Sequence, residues 1–180
     1  MQNSLSYKLL NALMFFIGWF FCVTNAARGR PLLGLSISLF IVGIHLVFIK
    51  NKLKEFLLIV ASVIAGFCVE TMLIKFYVLR YASPNAVWPG YAPFWVLGLY
   101  ALFATTINHS LAWLRPLQFV AALFGFLGAI LSYSAGEYLG AVEFVIPRGG
   151  SVMAVGIFWF VLMPMLYLLN EILTYYLKES

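Results

Sequence analysis

The chain has 180 residues, of which 64% are hydrophobic and only 9% charged, against about 25% charged residues in an ordinary soluble domain. A water-facing shell cannot be assembled from that composition, and at this length a single helical domain over residues 1–180 is all the chain has room for. The formal charge of +5 does not indicate nucleic acid, because the basic residues are scattered singly apart from Lys50, Lys52 and Lys54, a pattern that suits basic loops beside a membrane.

Crossing a hydrocarbon core of about 30 Å takes around 20 mostly apolar residues. Six segments meet that test, near 5–24, 31–49, 56–81, 93–114, 116–133 and 152–175. The expected fold is therefore all-α, a polytopic membrane protein built as a compact bundle of six transmembrane helices. The first segment, with Lys8, an apolar run over 9–23 and then Thr24-Asn25-Ala26, imitates a secretory signal. Five further apolar segments make a retained first helix the simpler expectation. Pro31 suits the first position of the second helix, after the polar turn over 25–30. In the fourth segment Trp95 and Trp113 are separated by about 27 Å of helix, which places one indole at each interface. Arg115-Pro116 then makes a tight hairpin into the fifth, and Pro164 kinks the sixth. The connections over 82–92 and 135–150, rich in Pro, Gly and aromatic residues, are expected as lids or interfacial turns, with Glu137 and Glu143 solvated.

Loop charge sets Lys8, Lys50, Lys52, Lys54, Arg115 and Lys178 on one side and Arg28, Arg30, Lys75, Arg80 and Arg148 on the other. The three lysines in one short loop tip both termini toward the cytoplasm. Small residues at four-residue spacing, Gly34 with Ser38, Ser62 with Gly66, and Ala121 with Gly125 and Ala129, mark faces where helices approach closely. Cys22 and Cys68 both lie in apolar runs without a paired motif, so each reads as a buried free thiol acting as a small hydrophobe.

Polar side chains inside the spans carry the functional information. Glu70 follows an uninterrupted nonionic run from Phe56, and an ionised carboxylate at such depth costs about 2.5–3.5 kcal/mol on insertion scales. Spacing stacks it with Ser62 and Gly66 in one interior groove. Lys75 is turned away along the helix, so a counter-charge is expected from Arg28 or Arg80. Glu70 is the residue whose loss should damage function most. On the fourth helix Thr105, Asn108 and His109 share a face, with Thr106 and Ser110 on the next; His45 lies at a depth similar to His109. Two histidines at one depth suggest a proton relay or a metal site. No third His, Asp or Cys stands at that depth, and the chain has no aspartate. The candidate binding residues are thus Glu70, Asn108, His109 and His45, with no metal, cofactor or catalytic residue expected. Asn170 and Glu171 close the last helix among headgroups and solvent. Signatures such as G-x-S-x-G, H-E-x-x-H and the P-loop are missing from the sequence, and His109 and Ser110 point about 100° apart on a helix, so they do not pair as base and nucleophile.

Several short motifs stand out together: Asn11-Ala12-Leu13 with Gly18-Trp19-Phe20, Ala92-Pro93-Phe94-Trp95, Phe103-Ala104-Thr105-Thr106-Ile107-Asn108, Leu131-Ser132-Tyr133, Ala135-Gly136 and Leu139-Gly140-Ala141. Through them the whole chain resembles a family of small bacterial inner-membrane proteins that is one of the domains of unknown function. The resemblance implies an inner-membrane location and an acid near the Glu70 position, while the His109 position varies; it transfers no activity. Members are sometimes labelled permeases, and similar genes stand near cyclopropane-fatty-acid synthase-like methyltransferases. The implied partners are membrane lipid and lipid-modifying enzymes. In order, the expected functions are an accessory or scaffold in membrane-lipid modification or stress response, a small-solute permease or substrate-binding membrane subunit, and an intramembrane enzyme acting on lipid.

Overall fold

A computed structural model describes residues 4–177; Lys178, counted above in the loop charge, lies outside the described residues. Six α-helices run over Leu5–Ala27 (α1), Pro31–Phe48 (α2), Lys52–Lys75 (α3), Phe94–Ile107 (α4), Gln118–Tyr138 (α5) and Arg148–Tyr176 (α6). Two three-residue strands, β1 at Leu79–Tyr81 and β2 at Val142–Phe144, pair antiparallel with Arg80 opposite Glu143. Among the described residues five helices are long and apolar enough to cross a membrane, and α4 is a shorter apolar helix. The architecture is an all-α bundle with a small ribbon closing one end.

Local chemistry accounts for where the helices differ from the sequence expectation. The Asn51 side chain caps α3 by accepting from the Lys54 N–H at 3.3 Å, which starts this helix at Lys52 and brings Glu55 inside its first turn. At the other end α3 stops at Lys75 instead of near 81, because Tyr77 adopts φ 56°, a left-handed conformation that turns the chain into β1. Helix α4 has 14 residues, about 21 Å of axis, and so does not fill a bilayer alone. A turn and a single 3-10 turn at Ala112–Leu114 complete the passage to α5.

The ruler of two indoles does not hold. Trp95 is 3% exposed and donates its indole N–H to the Ser83 carbonyl at 2.9 Å, inside the protein, while Trp113 is exposed. Helix α5 extends past 133 to Tyr138, and α6 starts at Arg148, so the 135–150 connection is mostly helix end, ribbon and helix start.

The two ends of the bundle are identifiable from contacts. At the ribbon end, Ser83 donates to the Ala26 carbonyl at 2.7 Å and Ser151 to the Val78 carbonyl at 2.8 Å. At the opposite end, the start of α3 meets the end of α6 through Lys54 Nζ and Thr174 Oγ1 at 3.0 Å, and the ring of Tyr7, at the start of α1, packs edge-on against His109. The ends of α2 and α4 and the start of α5 therefore share the face opposite the ribbon. Close approach in the middle uses small residues: a Cβ on Gly34 would stand 2.7 Å from the Cys22 carbonyl oxygen, so only glycine lets α2 lie this near α1. Outside, a belt of large apolar side chains that includes Leu9, Phe16, Leu32, Phe40 and Val47 remains exposed, a surface suited to the hydrocarbon of a bilayer. Of the two thiols, Cys22 is buried but Cys68 is exposed, a correction to its expected burial.

Candidate functional site

One face of α3 carries two carboxylates. The sequence stripe Ser62, Gly66, Glu70 extends backward through Ile59 to Glu55, and all five residues are buried. Successive steps of three or four residues keep them on one side of the helix.

Glu70, toward the ribbon end, is fully buried. It accepts hydrogen bonds from three phenols: Tyr81 to Oε2 at 2.5 Å, Tyr100 to Oε1 at 2.7 Å, and Tyr133, also to Oε1. The donors come from β1, α4 and α5, so the carboxylate ties three separate elements to α3. Gly66 seats one of them, since a Cβ there would run into the Tyr100 ring. Among the described residues the expected counter-charge is not present: Arg28 is exposed, Arg80 pairs across the ribbon with Glu143 at 3.5 Å, and Lys75 lies over the Tyr91 ring at 4.6 Å. Phenol hydroxyls replace cations because three O–H donors engage both carboxylate oxygens without burying a second charge. Glu137 is likewise paired, with Arg148 at 2.9 Å.

Glu55, at the opposite end, is 3% exposed. Its Oε1 accepts from Asn108 Nδ2 at 2.8 Å. That same nitrogen reaches Asn170 Oδ1 at 2.9 Å, and Asn108 Oδ1 in turn accepts from Arg115 Nη2 at 2.5 Å. His45 Nε2 stands 3.5 Å from Glu55 Oε2, and His109 Nε2 stands 3.5 Å from Oε1. The two imidazole rings meet edge to face with centroids 4.9 Å apart. Among the described residues neither Nε2 makes a hydrogen bond, and neither does Glu55 Oε2. His45, Asn108 and His109, three of the sequence candidates, are thus brought together, and Glu70 stands apart from them on another layer.

The remaining polar candidates are satisfied locally. Thr105 and Thr106 donate back to carbonyls of their own helix at 2.7 Å. Ser110 donates to Asn11 Oδ1, and Asn11 Nδ2 reaches the Thr105 carbonyl at 3.1 Å, a clasp between α1 and the end of α4. Asn170, expected among headgroups, is fully buried. Glu55, Asn170, Arg115 and the three tyrosines are the residues that sequence reasoning missed. For Glu55 a signal existed: it continues the Ser62, Gly66, Glu70 stripe, but its neighbours Lys52 and Lys54 read as loop.

Between α1 and α5 lies a cavity of about 590 Å³, within the usual range of about 300–1,000 Å³ for ligand pockets. Its lining on α1 runs from Ala12 to Val23, about 16 Å along the axis. The back wall is aromatic, with Trp95, Tyr100, Phe103, Tyr133 and Trp159. Phe16 and Leu131, 63% and 71% exposed, form lips on opposite sides. A hydrogen bond from Trp19 Nε1 to Ser132 Oγ at 2.9 Å links α1 to α5 across it.

The sequence model of a family described as a protein of unknown function, DUF2878, matches residues 8–165. No curated protein and no solved structure matches the chain.

Proposed function

The chain belongs to the DUF2878 family, and from that premise we propose that it is a membrane-embedded lipid-binding protein that holds one acyl chain in the groove between α1 and α5, as an accessory to lipid modification. The observation that carries this reading is the groove itself: elongated, apolar and aromatic along its walls, and open sideways at Phe16 and Leu131. What lies beside such an opening at this level is the hydrocarbon of the bilayer. A polar solute would need free hydrogen-bonding groups. Most of those lining the groove are engaged with one another or with the backbone, Trp19 with Ser132, Tyr81, Tyr100 and Tyr133 with Glu70, and Thr106 with the Phe103 carbonyl, which leaves the Trp159 indole N–H as a buried donor without a partner among the described residues. The lipid reading therefore has more support than the permease reading.

Gly128 supplies the test. It lines the groove, and a Cβ added there meets nothing within 4 Å, so Gly128→Leu fills the cavity without forcing a helix apart. Gly43, also with open space around its Cβ position but outside the groove, is the control. Purified protein is washed in detergent, and the phospholipid it retains is counted by native mass spectrometry. Gly128→Leu is expected to lower retention by about tenfold, equivalent to about 1.4 kcal/mol, with Gly43→Leu unchanged. Equal retention in both variants overturns the reading.

The same proposal places the protein in the bacterial inner membrane with the face opposite the ribbon toward the cytoplasm. The short loop bearing Lys50 and Lys52, with Lys54 just inside α3, supports it through the bias of basic loops toward that side. A cysteine introduced at Lys52 should resist an impermeant thiol reagent applied to intact cells; rapid labelling there reverses the orientation.

A further inference from the structure

We infer that His45, Glu55 and His109 form a binding site for one divalent transition-metal ion of the zinc class, seated at the end of the bundle opposite the ribbon. Their ligand atoms all lie within 4.8 Å of one another. The side chains of His45, Glu55 and His109 are only 7%, 4% and 6% exposed. This inference is independent of the acyl-chain groove, whose lining includes none of the three.

The unmet hydrogen-bonding atoms carry the argument. Buried polar atoms in folded proteins are almost always paired, and each exception calls for an explanation such as an ion. Of six such atoms among the described residues, three that can ligate a metal, His45 Nε2, His109 Nε2 and Glu55 Oε2, converge on one point, and the other three, on Arg115, Trp159 and Asn170, are donors. The contacts of 3.5 Å from each imidazole to the carboxylate are long for a hydrogen bond. They match the spacing of two ligands on one metal: bonds of about 2.0–2.2 Å in tetrahedral geometry set neighbouring ligand atoms about 3.4 Å apart. Two imidazoles and a glutamate are a donor set that zinc accepts with a fourth position left for water.

The surroundings fit a ligand shell. Asn108 fixes Glu55 Oε1, and Arg115 fixes Asn108 in turn, the kind of outer hydrogen bonding that orients metal ligands. The Arg115 guanidinium nearby is engaged with Asn108. The expectation of no metal rested on two histidines alone at this depth. Glu55 is the third ligand, delivered because α3 begins one turn earlier than the sequence suggested.

The test uses the full chain in detergent, stripped with chelator, incubated with zinc alone and desalted. Metal content by mass spectrometry is expected near one ion per chain, with the His45→Ala and His109→Ala variants at background and the surface variant Arg80→Ala unchanged. Two measurements on the unmutated protein guard against a folding defect in the variants: cobalt in place of zinc should give the visible absorption of a tetrahedral ion, and zinc should raise the melting temperature, since a ligand bound only by the folded state stabilises it. Absence of bound zinc, cobalt colour and melting shift in the unmutated protein overturns the inference. So does full zinc retention in a folded His45→Ala/His109→Ala double variant.

Discussion

Glu55 and Glu70 occupy the same face of one helix, about 22 Å apart along its axis, and both are shut away from solvent. Their surroundings differ in kind. Around Glu70 three phenols from three different elements all donate to the carboxylate; around Glu55 one amide donates, and two imidazole nitrogens face the carboxylate without bonding to it. Both residues carry the cost of a buried carboxyl, and only in one is it offset by partners within the fold. A buried acid whose two oxygens are both met is accounted for as a joint. One left half met, beside other unmet atoms, is where a further component has room to act. Depth alone did not separate the two cases, and hydrogen-bond accounting does.

The largest effect that tests this contrast is expected at Glu70. Changing Glu70→Ala removes the acceptor for three buried hydroxyls, and an unmet buried group costs about 1–3 kcal/mol. The phenols recover part of this by bonding to one another, so the expected loss of stability is about 3–5 kcal/mol by the same reasoning. Glu70→Gln keeps the shape and one carbonyl that accepts two phenols, and is expected to cost about 1–2 kcal/mol. Unfolding of purified protein in mixed micelles measures both. Two variants as stable as the unmutated chain remove the joint and with it the comparison. If the residue acts only as a joint, Glu70→Gln also retains its lipid, whereas Glu70→Ala loses it as the tyrosine wall of the groove shifts.

How far the sequence reached can be read from particular residues. The six helices were legible because long apolar runs at this composition fold as helices, five of them long enough to cross a membrane, and the Glu70 position was legible because its stripe with Ser62 and Gly66 repeats at helical spacing. The fourth pass was misjudged in detail. Its apolar run continues through Trp113, while the helix ends at Ile107 and leaves a turn that places Asn108 and His109. The ribbon was hidden because strands of three residues carry no usable alternation. The phenols were hidden because Tyr81, Tyr100 and Tyr133 lie 11, 30 and 63 residues from Glu70, and nothing local connects residues so far apart. Glu55 was lost to a helix start drawn four residues late, at Phe56 instead of Lys52. The cap at Asn51, whose side chain bonds the Lys54 N–H, was the sign that could have corrected it.

The smallest expected stability change sharpens the comparison most. In Glu55→Gln the carbonyl still accepts from Asn108, and the new amide takes the place of Oε2, 3.5 Å from His45 Nε2, where it has a proton to donate to a neutral imidazole. The exchange removes a buried charge and offers a hydrogen bond where none exists. In metal-free buffer the variant is therefore expected to match the unmutated protein or exceed it by up to about 1 kcal/mol. In zinc the order reverses. The unmutated protein gains stability from the bound ion, while the variant, with an amide in place of the anionic ligand, gains little. A change of sign between two buffers is hard to obtain from packing, because packing is the same in both. The measurement is a pair of melting curves for each protein, with chelator and with zinc. A Glu55→Gln protein that loses as much stability as Glu70→Ala in chelator would make Glu55 a second joint of the same kind, and the two ends of α3 would no longer differ.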